Sequence, residues 1–320
     1  MLGVGKIVVG TVGLIGKTYY LTLSLVNVET GKTELIKDEE CKCEVDALIS
    51  SSKRVAKGLM GQVVPPQPQV AAIEEKIVTS PAITGATYKD TETGVEFVFV
   101  KGGCYLMGDI FGIGSDNERP VHEVCVDDFY IGKYEVTQGQ WKTVMGNNPS
   151  KNKGGDGFPV ESVSWDDIQT FLLKLKQKVG NNYRLLTEAE WEYAARSGGK
   201  DESWAGTNSE EELREYAWYK KRFSGENNIH AVGFKKPNAL GLYDMTGNVE
   251  EWVTDFYCEK YYVESPRNNP KGPSKGEDRV SRGGSWDESP DNKLRVSNRE
   301  SHGSSRRENT LGFRLVLQVK

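Results

Sequence analysis

The spacing of hydrophobic positions changes along the chain. From Thr18 to Val28 apolar and polar residues alternate, the period of a half-buried strand. Glu29-Thr30-Gly31-Lys32 is a turn sequence, so a hairpin is expected there. Asp46 to Leu59 shifts to helical spacing, with Ala47, Ile49, Val55 and Leu59 on its apolar side. Gln62 to Pro81 carries Pro65, Pro66 and Pro68, which resist helix and sheet alike, and reads as a linker. Val95 to Val100 is a strand pattern. Beyond it, helix starts show a hydroxyl followed three residues later by a side chain able to reach back: Thr137 with Gln140, Thr187 with Glu190, Ser209 with Glu212 and, in weaker form, Ser164 with Asp167. One of these helices presents Ile168, Phe171, Leu172 and Leu175 as a single face, and Gly146 and Gly198 stand where C-terminal caps belong. The organisation expected is a small α+β piece over 1–61, a linker over 62–92 and a larger α+β domain over 93–320, with no internal repeat.

Gly10-x-x-Gly13-x-x-Gly16-Lys17-Thr18 invites a phosphate-loop reading. That loop needs a glycine where Thr11 stands and a helix after it to hold the phosphates, whereas strand-like sequence follows. A glycine-rich hairpin is the better account.

Composition narrows the function classes. The 35 glycines point to many turns and loops, and a net charge of -5 with no broad basic stripe gives no reason to expect nucleic acid. No run approaches the roughly 20 apolar residues of a membrane span. Met1 to Gly16 lacks a basic start and a cleavage site, so no targeting segment is expected. Five cysteines (Cys41, Cys43, Cys104, Cys125 and Cys258) leave at least one unpaired within the chain, and they read as structural or incidental thiols.

From Val95 to Val319 a series of ordered motifs resembles the formylglycine-generating enzyme, or sulfatase-modifying factor, family. They are Gly103-Cys-Tyr-Leu-Met-Gly108, Glu118-Arg-Pro-Val-His122, Tyr130-Ile-Gly-Lys-Tyr-Glu-Val-Thr137, Pro159-Val-Glu-Ser-Val-Ser-Trp165, Arg184-Leu-Leu-Thr-Glu-Ala-Glu-Trp191, Asn238-Ala-Leu-Gly-Leu-Tyr243, Arg282-Gly-Gly-Ser-Trp286 and Leu311-Gly-Phe-Arg-Leu315. The resemblance implies a loop-rich α+β domain, a variant of the C-type lectin fold. The N-terminal piece resembles the closing part of an envelope-lipoprotein domain of the curli-channel and TolB kind. An envelope or cell-surface location follows if a signal stands upstream, and a cytoplasmic one otherwise.

The resemblance also supplies candidate chemistry. It implies calcium, with side-chain oxygens from Asp244 and Glu251 and carbonyls from Gly247 and Val249; the residues alone suit a metal-free tight turn equally well. Its oxidases need two cysteines after the Gly-Gly-Ser turn to grip soft Cu(I). Aligned on Gly283-Gly284-Ser285, those positions hold Glu288 and Lys293, so no copper is expected. Iron is not expected either, because His122, His230 and His302 are scattered. No G-x-S-x-G supports a hydrolase. Arg282, Trp286, Trp252, Trp191 and Arg314 read as scaffold, since arginine offers five donors to loop carbonyls that no sheet satisfies. The polar stretch from Asp287 to Asn309 then suggests recognition. The expected surface is Trp286, Asp287, Glu288, Asp291, Lys293, Glu300, His302, Ser304, Arg307 and Asn309, for a protein, peptide or glycan ligand. The stretch resembles the variable region of retroelement-diversified proteins, although Glu288, Lys293, Glu300 and Glu308 cannot arise from adenine mutation of asparagine codons. The reading is a non-catalytic binding module, with a sulfatase-modifying oxidoreductase acting on protein cysteine as the alternative.

Overall fold

The structure is a computed structural model that describes residues 86–220, 228–290 and 293–317, together with the backbone of strands at 6–15, 18–27 and 33–41. Two compact units divide the chain, Met1–Lys76 and Ile77–Lys320.

In the first unit β1 (Lys6–Ile15), β2 (Thr18–Asn27) and β3 (Thr33–Cys41) form an antiparallel meander in the order β1-β2-β3. β1 pairs with β2 from Lys6 opposite Asn27 to Ile15 opposite Thr18. Gly10 and Gly13 lie within β1, and a strand begins at Thr18 where a phosphate loop would require a helix. The helix expected over Asp46 to Leu59 and the proline-containing stretch lie outside the described residues.

The second unit contains β4 (Thr87–Lys89), β5 (Glu96–Val100), β6 (Gly103–Met107), β7 (His122–Val126), β8 (Phe129–Gly132), α1 (Gln138–Met145), α2 (Trp165–Val179), β9 (Tyr183–Arg184), α3 (Glu188–Ala195), α4 (Glu210–Tyr216), β10 (Glu250–Phe256), β11 (Asp278–Arg282), β12 (Glu300–Gly303), β13 (Leu311–Phe313) and β14 (Val316–Leu317). Three sheets result: β4-β5-β8-β14-β9, β12-β11-β10-β13 with β13 parallel to β10, and the hairpin β6-β7. The first sheet starts with β4, earlier than the apolar run at Val95 suggests, because its three residues alternate too briefly to register as a pattern.

Local sequence explains the helix ends. Thr137, Ser164 and Thr187 each accept a hydrogen bond from the N3 amide, and the side-chain oxygens of Gln140, Asp167 and Glu190 accept one from the cap's own backbone N–H, making three complete capping boxes. Ser209 caps α4 in one direction only, because Glu212 turns instead to the Thr207 hydroxyl. Gly146 ends α1 in the left-handed conformation, and Gly180 does the same for α2. The cap expected at Gly198 is corrected: α3 stops at Ala195 with Arg196 as its cap, and Gly198 lies beyond, bonded to the Tyr193 carbonyl.

Two apolar cores share this framework. Ile168, Phe171 and Leu175 of α2 pack with Trp141, Trp252 and Phe313 in one, while Leu172 is only partly covered. The other surrounds α3, whose eight residues are all buried, charged ones included. A helix enclosed on every side must pair its carboxylates. Glu192 accepts from Arg196 Nε at 2.9 Å and pairs with Arg282; Glu188 accepts from Arg299 Nε at 2.6 Å and Nη2 at 2.9 Å. Burial raises the pKa of Glu188, but Arg299 and Arg282 outweigh it, so the carboxyl titrates below its ordinary value. Arg282 also donates to the carbonyls of Val296, Ser297 and Asn298, pinning the chain after residue 293 onto α3. The cysteines at 104 and 125, opposite one another in β6 and β7, form a disulfide; Cys258 is unpaired, and the side chains of Cys41 and Cys43 lie outside the described residues.

Candidate ligand-binding face and buried carboxylate cluster

Successive residues of a strand point to opposite faces. Along β10 this sends Glu250 and Trp252 to one side and Glu251 to the other. On the first side, Glu250 accepts from Ser281 Oγ at 2.5 Å, and its other oxygen lies 3.2 Å from His302 Nε2. The His302 ring meets Trp252 edge-on at 5.6 Å. Lys293 Nζ stands between Glu288, at 3.4 Å, and Glu300, at 3.6 Å. Asp287 is exposed and takes Lys220 Nζ at 2.9 Å. Trp286 is half-buried, its indole N–H on the Asn309 carbonyl at 3.3 Å. Two other expected residues serve the start of α2: Ser304 donates to Asp166 at 3.1 Å, and Arg307 forks onto Asp167 at 2.7 and 2.8 Å. Asp291 lies outside the described residues. Each of the remaining nine takes part in a hydrogen bond or ion pair of its own, so most of the charges are already committed to protein partners.

Burial works against a charged imidazole at His302, but the Glu250 carboxylate outweighs it and raises the pKa above its ordinary value. Burial, followed by Glu250, raises that of Glu300. For a histidine raised on folding, the stabilisation is complete below the unfolded value of about 6.5 and is lost as pH rises through the folded one. The stability difference between the protein and His302→Gln is therefore expected to shrink between pH 6 and pH 8.5. Its size should be about 1 kcal/mol or less, the range of partly screened pairs. Urea melts of both proteins at the two pH values measure it; a difference that grows with pH would contradict the assignment.

On the opposite side of β10 the carboxylate of Glu251 is enclosed. It accepts from Arg314 Nη2 at 2.7 Å, from Arg314 Nε at 3.0 Å and from Trp191 Nε1 at 2.9 Å. Asp244 takes the Gly233 N–H at 2.7 Å on one oxygen, while the other is buried without a partner. Glu135 holds Asn248 Nδ2 at 2.9 Å and the Val249 N–H at 3.1 Å. Burial raises the pKa of Asp244 to about 6; it also lifts Glu135 well above the carboxylate range, reinforced by Asp244 and Glu251. Gly247 has φ +78°, and a Cβ there would stand 2.1 Å from the Trp218 carbonyl oxygen, so close backbone approach requires glycine. The expected quartet Asp244, Gly247, Val249 and Glu251 falls on the turn that leads into β10 and on the first residues of that strand, with one Asp244 oxygen buried and without a partner. Both oxygens of Glu251 are engaged by Arg314 and Trp191.

Trp191, Trp252, Arg282 and Arg314 are fully buried and bonded within the protein, which makes them scaffold. Sequence reasoning passed over Glu250, Glu135 and Lys220. The alternation of β10 could have flagged Glu250, since Glu-Glu-Trp must place its two carboxylates on opposite faces. Nothing local announces Glu135 or Lys220, whose partners lie 113 and 67 residues away.

A loop-rich α+β domain whose arginines tie irregular chain to one buried helix, with a polar face along its C-terminal strands, is a lectin-like scaffold of the C-type kind. The chain belongs to the sulfatase-modifying factor enzyme 1-like domain family, which it matches over residues 84–319. It is 32% identical over 251 residues to the chaperone protein LppX of Paenibacillus barcinonensis, covering 63% of this chain and 82% of that one. It is 30% identical over 280 residues to the formylglycine-generating enzyme of Streptomyces coelicolor, covering 68% and 87%. Among solved structures, Treponema denticola variable protein 1 superposes with a TM-score of 0.66 at 32% identity, covering 73% of this chain and 99% of that chain.

Proposed function

We propose that the Ile77–Lys320 unit is a non-catalytic binding module that presents the polar face around Glu288, Lys293, Glu300 and His302 to a protein, peptide or glycan ligand. One observation carries this reading. The two positions that align with the family's reactive cysteines are occupied by Glu288 and Lys293, which form an ion pair at 3.4 Å. A carboxylate and an ammonium are hard groups that neither bind Cu(I) softly nor form a disulfide with a substrate thiol. The likeness to Treponema denticola variable protein 1 is compatible with a binding role on this scaffold. The Cys104–Cys125 disulfide supports an oxidising location such as the envelope or cell surface.

The competing reading, oxidation of a protein cysteine, draws on the similarity to the Streptomyces coelicolor enzyme. Both are tested on the full chain. Incubated with a sulfatase-type cysteine peptide, copper and oxygen, the protein should yield no aldehyde by mass spectrometry; aldehyde that persists in Cys258→Ser would overturn the binding reading. A peptide selected from a displayed library against the wild type should lose at least tenfold affinity, about 1.4 kcal/mol, when Glu288 and Arg307 become alanine. Leu173→Ser, on the exposed side of α2, should leave it unchanged. Equal affinity in all three proteins would remove the C-terminal face from the proposal.

A further inference from the structure

The charged side chains of the C-terminal face are largely committed, so the groups still open there belong to the main chain. β12 is the terminal strand of its sheet and bonds β11 along one edge only. In an antiparallel pair, two opposed residues either exchange both backbone hydrogen bonds or exchange neither, and the two kinds alternate. The Asp278 carbonyl accepts from the Tyr257 N–H at 2.9 Å, on the β10 side. Asp278 therefore exchanges no bonds with Gly303, the residue opposite it. Alternation gives β11 the backbone groups of Glu300 and His302. It turns those of Arg299, Ser301 and Gly303 to the outer edge.

Two of the outer carbonyls are capped from within the protein. That of Arg299 accepts from Asn117 Nδ2 at 3.2 Å, and that of Gly303 from the Arg306 N–H at 2.8 Å. Between these caps the Ser301 N–H, the Ser301 carbonyl and the Gly303 N–H have no partner among the described residues. Ser301 is half-buried and Gly303 is exposed. Proteins ordinarily blunt an open edge with lysine, proline or a bulge. Glu300-Ser-His-Gly303 has no lysine or proline, and its register with β11 runs without a shift. The edge is thus closed at both ends and open at its middle.

Backbone donors and acceptors spaced along an extended strand are matched by another extended chain. A glycan would have to be held by side chains, and those of Glu250, Glu288, Glu300 and Lys293 already bond to one another or to Ser281 and His302. We propose that the ligand of the C-terminal face is an extended peptide that adds to the outer edge of β12 as a further strand. In the antiparallel arrangement one peptide residue faces Ser301, donating its N–H to the Ser301 carbonyl and accepting the Ser301 N–H on its own carbonyl. The carbonyl two residues earlier in the peptide accepts the Gly303 N–H. This inference rests on the binding reading above and narrows it to one class of ligand and one mode of recognition.

The test uses the full chain and the peptide selected against it from the displayed library. Hydrogen–deuterium exchange is followed at single residues by fragmentation mass spectrometry, with and without saturating peptide. Without peptide, the Ser301 and Gly303 amides should exchange faster than those of Glu300 and His302. With peptide, both should slow by about tenfold or more. N-methylation of one central peptide residue should weaken binding by about tenfold, while the same change at its two neighbours should cost less than about threefold. A Ser301 amide that the peptide leaves unchanged would overturn strand addition; if binding still falls in the Glu288→Ala/Arg307→Ala protein, the face remains the ligand site and only this mode of recognition is lost. Ser301 protection that persists in that double variant would keep the added strand and remove the two side chains from recognition. Ser301 protection that rises with protein concentration in the absence of peptide would assign the edge to a second copy of the chain and overturn the proposal. A library that yields no binder would overturn it together with the peptide form of the binding reading.

Discussion

Arg282→Met should destabilise the Ile77–Lys320 unit by about 3–5 kcal/mol, the usual cost of breaking a buried ion pair by removing one partner. Arg282 is fully buried in β11 and supports several groups at once. Its guanidinium faces Glu192 and Glu188 on α3 and donates to the carbonyls of Val296, Ser297 and Asn298. Methionine fills much of the volume but leaves a carboxylate at Glu192 with Arg196 as its one remaining cation, and three carbonyls without donors. Lysine should not rescue the variant, because one ammonium cannot reproduce a planar fork aimed in two directions. All seven tryptophans lie in this unit, so urea melts followed by tryptophan fluorescence report on it directly. Arg306→Met, an exposed control, should stay within about 0.5 kcal/mol of wild type. An Arg282→Met protein within 1 kcal/mol of wild type would show that loop closure onto α3 does not depend on this residue.

How much of this arrangement can be read from sequence depends on how far apart the partners lie. The capping boxes at Thr137, Ser164 and Thr187 are legible because donor and acceptor stand three residues apart on one turn. The apolar face of α2 is legible for the same reason. Strands β9 and β14 are not: each has two residues, too few for a period, and they exist because β14 bonds to both β8 and β9. The polar character of the stretch after Gly283-Gly284-Ser285 is legible in the sequence. Its internal pairing is not. The pairs of Arg307 with Asp167 and Asp287 with Lys220 span 140 and 67 residues, and they turn side chains that look free in the sequence into committed ones. The same holds in the core, where Glu118 and Arg295, 177 residues apart, form a buried double fork at 2.6 and 2.7 Å that neither motif announces. Only a fold can bring such groups together, so sequence spacing is silent about them.

The calcium question turns on the same kind of long-range partner. Glu251→Ala should cost about 3–5 kcal/mol, because it leaves the Arg314 guanidinium buried and unpaired and removes the acceptor of the Trp191 indole. If the carboxylate serves Arg314, this deficit is the same in EDTA and in millimolar calcium, since the unpaired cation is present in both. If it serves a metal, the deficit disappears in EDTA, where wild type loses the ion as well. Thermal melts of the two proteins in the two buffers therefore separate the roles. The geometry predicts equal deficits: the two oxygens of Glu251 already receive contacts from Arg314 and Trp191, and among the described residues Arg314 forms an ion pair with no other carboxylate. A deficit that collapses in EDTA would return Glu251 to the calcium quartet, and the Arg314 fork would then be the contact that yields when the ion enters.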